Sequence, residues 1–257
     1  MSQLLGLPTG NLLLRALNGD DLSKLAPDLT RVELAREMVL AKADEPVEFI
    51  YFPEGGIASI VADLPEQDAT EVGIFGREGM SAISQLLADG RSTTSTFMQV
   101  DGTTALRIDF ERVQEAMEAS ATLRRTLLRY AHVHMTQLTH SVATNTRQSL
   151  EVRLARWLLM CQDRLDGDEV QLTHGFMAMM IGAQRTGVTV TLPMLEGQGL
   201  IKSKRACVII LDRTGLEIKA GGAYGKAEGE YRRLIGPLGR PPEAPITPPL
   251  AAGAHPA

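Results

Sequence analysis

Between Gln184 and Val190 the chain gathers side chains suited to reading hydrogen-bond patterns. Gln184 brings an amide, Arg185 a guanidinium, Thr186 and Thr189 a hydroxyl and a methyl each, and Val190 a branched pair of methyls. An amide matches the N6/N7 edge of adenine, a guanidinium the O6/N7 edge of guanine, and methyl groups meet the thymine methyl. Gly187, with no side chain, would let backbone approach a phosphate. Thr173, Lys202, Lys204 and Arg205 add a hydroxyl and three cations, groups that hold phosphate without reading sequence. This set points to docking on double-stranded DNA, with no catalytic residue. The chain shows no Gly-x-Ser-x-Gly, P-loop, His-Glu-x-x-His or dinucleotide glycine fingerprint, so no enzyme is expected.

Helices must position these groups. Thr173 supplies an N-cap hydroxyl ahead of Phe176, Met177, Met180 and Ile181, which recur at helical spacing. Gly182 breaks that helix where a sharp turn needs a residue without a Cβ. A second helix starts near Gln184 and buries Val188, Leu192 and Leu195. Thr186, Val190 and Pro193 then fall on its opposite side. Pro193 removes a hydrogen bond to the Thr189 carbonyl and predicts a kink that leaves Gln184–Leu192 straight. After Gly199, two strands over Leu200–Lys202 and Cys207–Leu211 flank a basic tip. The whole reads as a winged helix-turn-helix. The same spacing would also suit a helical hairpin packed only on its own chain.

The net charge of −5 divides unevenly. Residues 1–144 carry 12 basic and 20 acidic side chains, a balance of −8, whereas residues 145–240 carry 14 and 10, a balance of +4, and Glu243 adds the last −1. The cations thus accompany the helix-turn-helix. No apolar run approaches the roughly 20 residues of a membrane span. The N-terminus lacks the pattern of a signal peptide, and Cys161 and Cys207 suit buried thiols in a reducing cytoplasm. Two thiols do not make an iron–sulfur site, and no metal or cofactor is expected.

Upstream, short strands bounded by turn residues predict a sandwich, jelly roll or barrel: Glu48–Phe52, Gly56–Val61, Thr70–Ile74, Thr96–Val100 and Thr104–Ile108. Glu111 to about Asn145 reads as one long helix. Along it Leu123, Leu127, Tyr130, His134 and Leu138 recur at a spacing near 3.5, which is the seam of a coiled coil. A helix packed wholly on its own strands would show the same row. His132 and His134 point to nearly opposite sides, which does not suit a shared metal. Thr144–Ser149 reads as a hinge, and Leu150–Gln162 as an amphipathic helix with Leu154, Trp157, Leu158 and Cys161 inward. Arg153 and Arg156 would face solvent or phosphates. Gly215–Tyr224 and Gly229–Ile235 suggest short helices, and the Pro- and Ala-rich stretch from Pro237 a disordered tail.

The segment Ser149–Asp212, above all RLARWLLM (Arg153–Met160), LTHGFMAMMIG and TVTLPMLEGQGLI, resembles the DNA-binding half of the Crp–Fnr family of bacterial transcription regulators. With the upstream features the resemblance spans roughly residues 10 to 225. It implies an α+β protein with an N-terminal β jelly roll of cyclic-nucleotide-binding type (1–110) and a long dimerisation helix with hinge (111–147). A winged helix-turn-helix (148–222) and a partly disordered C-terminal extension (223–257) would follow. In nucleotide-binding relatives a Gly-Glu pair grips ribose and an Arg followed by small residues grips phosphate. Here Glu78, Arg91 and Ser92 stand in the matching region, but Arg77 intrudes and the spacing is stretched. A degenerate site follows, or a plain surface ion pair between Glu78 and Arg91. The implied function is a cytoplasmic homodimeric regulator of an inverted-repeat operator, not controlled by cyclic AMP, with RNA polymerase as a further partner and no membrane role. The other reading is a ligand sensor or adaptor whose winged domain binds protein. Salt-dependent binding of random duplex separates the two.

Overall fold

The computed structural model describes residues 8–62, 70–100 and 102–239. The tail expected to be disordered lies, from residue 240 on, outside them.

Two short helices, α1 (Leu12–Arg15) and α2 (Gly19–Leu25), lead into seven strands: β1 (Thr30–Leu34), β2 (Val39–Ala41), β3 (Phe49–Pro53), β4 (Ile57–Ala62), β5 (Thr70–Phe75), β6 (Ser95–Val100) and β7 (Gly102–Asp109). They form two antiparallel sheets, ordered β1-β7-β3 and β2-β6-β4-β5. Alternation explains why FIYF in β3 and IASIV in β4 are apolar nearly throughout, because these strands are covered on both faces. Tyr51, Ala58, Phe75, Met98 and Ala105 fill the core between the sheets. On the outer side of the first sheet, Ile50, Phe52, Leu106 and Ile108 pack under helices. On the outer side of the second, Ile57 and Ile74 pack against the C-terminal half. The jelly roll is therefore a middle layer.

The single long helix expected from Glu111 is two: α3 (Phe110–Ala119) and α4 (Ala121–Arg147). Ser120 breaks the run because its extended backbone and its hydroxyl, which accepts from the Leu123 amide, cap α4, while the same hydroxyl donates to buried Asp21. The predicted seam is also corrected. Leu123, Leu127, Tyr130 and His134 are at most 6 % exposed within one chain, packed on the strands beneath, and only Leu138 is half-buried. A 3.5-residue period marks a buried row without saying what buries it. The exposed apolar row lies on the other side of α4, at Leu128, Met135 and Val142, each seven residues from the next.

Only Gln148 and Ser149 separate α4 from α5 (Leu150–Gln162), so most of the expected hinge is helix, with Thr144 buried. There follow β8 (Glu169–Val170), α6 (His174–Met180), α7 (Arg185–Gly197), β9 (Ile201–Lys204), β10 (Cys207–Ile210), α8 (Arg213–Ala220) and α9 (Lys226–Leu234). Helix α9 returns to α4, and its Tyr231 is fully buried there.

The two halves share one junction. Trp157 of α5 packs with Ile57 and Ile74, and its Nε1–H donates to Glu71 Oε1 at 3.3 Å. The Ser59 hydroxyl donates to the other Glu71 oxygen at 2.8 Å. Arg156, expected near solvent, is instead buried and donates to the carbonyls of Ala223 and Gln137 and to the Ser141 hydroxyl. Just past α5, Arg164 Nε donates to Glu78 Oε1 at 2.8 Å, both side chains 3 % exposed. Burial pushes the Glu71 carboxyl up to about 8 against the lowering pull of Ser59, Trp157, Arg164 and Arg156. Burial, then Arg164, lowers His134 to about 4.

These shifts set a pH signature. Between 4.5 and about 8 the folded chain holds a proton at Glu71 that the unfolded chain has lost, so this group's contribution falls as pH rises. Between about 4 and 6.5 His134 acts the other way, because the unfolded chain holds the extra proton. From 6.5 to about 8 the Glu71 slope is unopposed by His134. Urea unfolding at several pH values across that window should show stability falling with pH, and Glu71→Gln should flatten the fall. An identical slope in the variant would contradict the assignment.

Candidate nucleic-acid interface

Local bonds set the angle between α6 and α7. Thr173 caps α6, its Oγ1 accepting from the Phe176 amide at 3.3 Å, which leaves its hydroxyl proton free to donate. Gly182 turns the chain at φ +57°. Arg153, read from the sequence as facing solvent or phosphate, clamps this turn: its Nη2 donates to the carbonyls of Ile181 and Gly182, the latter at 2.6 Å. Ile181 is the C-cap of α6, so its carbonyl is one that a helix end leaves without an intrahelical partner, and the Gly182 carbonyl belongs to the turn that follows.

Helix α7 buries Val188, Thr191, Leu192 and Leu195 against α5 and the wing, so its other face must look outward. Gln184 stands at the N-cap, and its side chain makes no capping bond. Gln184, Arg185, Thr186, Thr189 and Val190 are all exposed, Val190 at 64 %. The helix continues through Pro193 to Gly197, beyond the straight segment expected. Thr189 is partly committed, its hydroxyl donating to the Arg185 carbonyl at 3.0 Å and lying 3.2 Å from His174 Nδ1. Gly187 does not join the outward set. It is half-buried, and a Cβ there would meet Leu150 Cδ1 at 2.8 Å, so its missing side chain admits α5 and not a phosphate. The step of 100° per residue puts 187 beside 188 and 191 on the inner face.

The wing is β9 paired with β10, and β8 forms the far edge on β10. A two-residue turn, Arg205-Ala206, joins the strands, with Ala206 at φ +54°. Lys202, Lys204 and Arg205 are exposed. Neither Lys202, Lys204, Arg205 nor Arg185 has an acidic partner within 4.0 Å among the described residues; the cations of this half that are paired include Arg213, with Asp163 and Glu217, and Lys219, with Glu151. Gln184 at the cap, four outward side chains on α7 and three wing cations with no acidic partner among the described residues thus form one polar, positive face. It can offer direct bonds to bases and charge to phosphates.

The suspected ligand residues do not converge. Glu78 is paired with Arg164 and also accepts from the Gly76 amide at 3.0 Å. Arg91 is exposed and donates to the Asp44 carbonyl at 2.8 Å, so the alternative surface pair with Glu78 does not form either. Ser92 is buried, its hydroxyl donating to the Thr94 carbonyl at 2.7 Å. Tyr130 fills the space beside Gly79, where a Cβ would lie 1.7 Å from its hydroxyl. The remaining cavity among Glu78, Tyr130, His134, Arg164 and Tyr231 is about 10 Å³, roughly one water. Nothing local in the sequence marks Arg164 or Arg153 for these roles, because their partners lie 86 and 28–29 positions away.

The family model for a Crp-like helix-turn-helix domain matches residues 152–218. No curated protein matches the chain. Among solved structures, a CRP-family transcriptional regulator from Thermus thermophilus superposes with a TM-score of 0.61 at 24 % identity, over 76 % of this chain and 98 % of its own. FixK2 from Bradyrhizobium japonicum does so with a TM-score of 0.65 at 16 % identity, over 76 % and 98 %. A second CRP/FNR-family regulator of Thermus thermophilus gives 0.59 at 16 %, over 75 % and 97 %. The chain carries a Crp-like helix-turn-helix domain within the fold of Crp/Fnr-type regulators.

Arg153→Ala should release the carbonyls of Ile181 and Gly182 and cost about 1–3 kcal/mol in urea unfolding. Unchanged stability would show that the clamp carries no weight.

Proposed function

We propose that this chain is a transcription regulator that binds DNA sequence-specifically, as a homodimer on an inverted-repeat operator, without cyclic AMP as its controlling ligand. The observation that carries the reading is the outward face of α7: Gln184, Arg185, Thr186 and Val190 stand exposed beside cations without acidic partners. A recognition helix enters the major groove by its N-terminal residues while the helix before it crosses the backbone. Arg185 takes guanine, Gln184 adenine, and the methyls of Thr186 and Val190 thymine. Thr189 contributes its methyl. Thr173, Lys202, Lys204 and Arg205 hold phosphates. With no catalytic set assigned, the chain acts by occupying DNA, in the cytoplasm, and RNA polymerase is the partner whose work an occupied operator alters.

Pairing is supported by the row Leu128, Met135 and Val142 on α4, a heptad spacing exposed in the single chain. Two copies joined there would present two recognition helices to half-sites about 34–36 Å apart, or a multiple of that distance. Independence from cyclic AMP is supported by the filled pocket, where Arg164 holds Glu78 and Tyr130 and Tyr231 take the space.

Fluorescence anisotropy on a selected operator and a scrambled duplex tests base readout. Arg185→Ala should cost about 1–3 kcal/mol on the operator and relax base choice. Lys204→Ala should weaken both duplexes alike and reduce the salt slope by about 1. Equal binding of operator and scrambled duplex by the unaltered protein would contradict the reading. For pairing, Met135→Glu with Val142→Glu should convert a dimer to a monomer in analytical ultracentrifugation, with the fold kept. A dimer that survives both charges would move the seam elsewhere.

A further inference from the structure

One side chain bridges the two helices of the helix-turn-helix. His174, the first residue of α6, is half-buried, and its Nδ1 lies 3.2 Å from the hydroxyl of Thr189 on α7. That hydroxyl has a single proton and gives it to the Arg185 carbonyl at 3.0 Å. The ring is then the donor at Nδ1, which leaves the lone pair of a neutral imidazole on Nε2. Nε2 is open to solvent and has no partner among the described residues. Protonation turns this nitrogen from acceptor to donor and leaves the bond to Thr189 as it is.

Helix α6 packs chiefly on α7 and β5. From α7 the charged group is Arg185, one turn ahead of Thr189. From β5 it is Glu71, buried toward the Met180 end of α6 and held by Ser59 and Trp157. Arg36, in the segment after β1, lies over the ring of Phe176. Helix α6 has no charged side chain besides His174, and no carboxylate lies within 4.0 Å of its ring among the described residues. The free chain therefore offers an imidazolium at this place no counter-ion.

We infer that His174 binds a DNA phosphate through Nε2 as an imidazolium, so that duplex binding takes up a proton at each half-site. The inference rests on the DNA reading and adds to it a residue and a pH dependence. A neutral ring would set its Nε2 lone pair against the phosphate oxygens, whereas the imidazolium donates to them. His174 adjoins Thr173, already assigned to phosphate, and its other nitrogen is fixed to the reading helix. The bound state favours the protonated ring, so its contribution is full at low pH and lost as pH rises through the range in which imidazole discharges.

Anisotropy titrations of the full chain on the selected operator and the scrambled duplex, at constant ionic strength, test it. Operator affinity should fall about fivefold or more between about pH 6 and about pH 8. His174→Gln, which keeps a donor for Thr189 and cannot charge, should bind at both ends of the range with the weaker affinity. His174→Arg, charged throughout, should bind at both ends with the tighter one. The scrambled duplex should show the same slope, because a phosphate carries no sequence. The inference is overturned if the unaltered chain shows no slope, if either variant keeps it, or if the slope is confined to the operator, which would make His174 a base contact. Each of these results leaves operator preference, and with it the DNA reading, in place. Absence of duplex binding at every pH overturns the reading and the inference together.

Discussion

The arrangement depends on Arg164, a guanidinium enclosed where the jelly roll, α5 and α9 meet. Burial opposes its charge, and Glu78, Glu228 and Asp163 more than offset that, so it stays protonated. A buried ion pair adds little over an apolar substitute, but losing one partner strands the other, typically at about 3–5 kcal/mol. Its effect here is to fix position more than to add stability. Glu78 follows β5 of the jelly roll and Arg164 lies just past α5, so their bond ties the C-terminal half to the sheets. The same bond withdraws Glu78 from the pocket that a nucleotide ribose would need.

Apolar packing reinforces that tie. Ile57 and Ile74 belong to one continuous core with Trp157, Met180 and Val188, and α6 packs on β5 while α7 packs on α5 and α6. Met180 Sδ lies 3.6 Å from the Ser59 hydroxyl, and the Arg36 guanidinium sits 5.3 Å from the Phe176 ring centre. A signal that repositioned the C-terminal half would have to break this surface, and a ligand moves such an equilibrium only by its differential affinity for the two arrangements. Helix α9 adds a further contact: Tyr231 is fully buried, and its hydroxyl has no hydrogen-bond partner among the described residues. That group gives the C-terminal extension less hold on the pocket than its packing alone would provide.

What the sequence made legible was local. The inward set Val188, Leu192 and Leu195, the cap at Thr173 and the turn at Gly182 all follow from spacings of a few residues, and the structure has them as read. The strands were legible because burial on both faces leaves apolar runs between turn residues. Gly187 was misread because a glycine can serve a close approach on either side of a helix, and Leu150, 37 positions earlier, decides which. Leu123, Leu127, Tyr130 and His134 were misplaced for a related reason: a periodic row records burial, not the identity of the partner. The Ser120 cap has a local signal, a serine ahead of a helical run. The Arg164–Glu78 pair has none, because nothing local in either residue marks the other.

The most direct test of the central claim, that α7 offers a base-reading face twice over, is selection of bound duplexes from a random pool by the full chain, followed by sequencing. The expected outcome is an inverted repeat whose half-sites lie about 10–10.5 base pairs apart, or a multiple of that spacing. A pool that stays random, or one enriched in a single unpaired half-site, would contradict it.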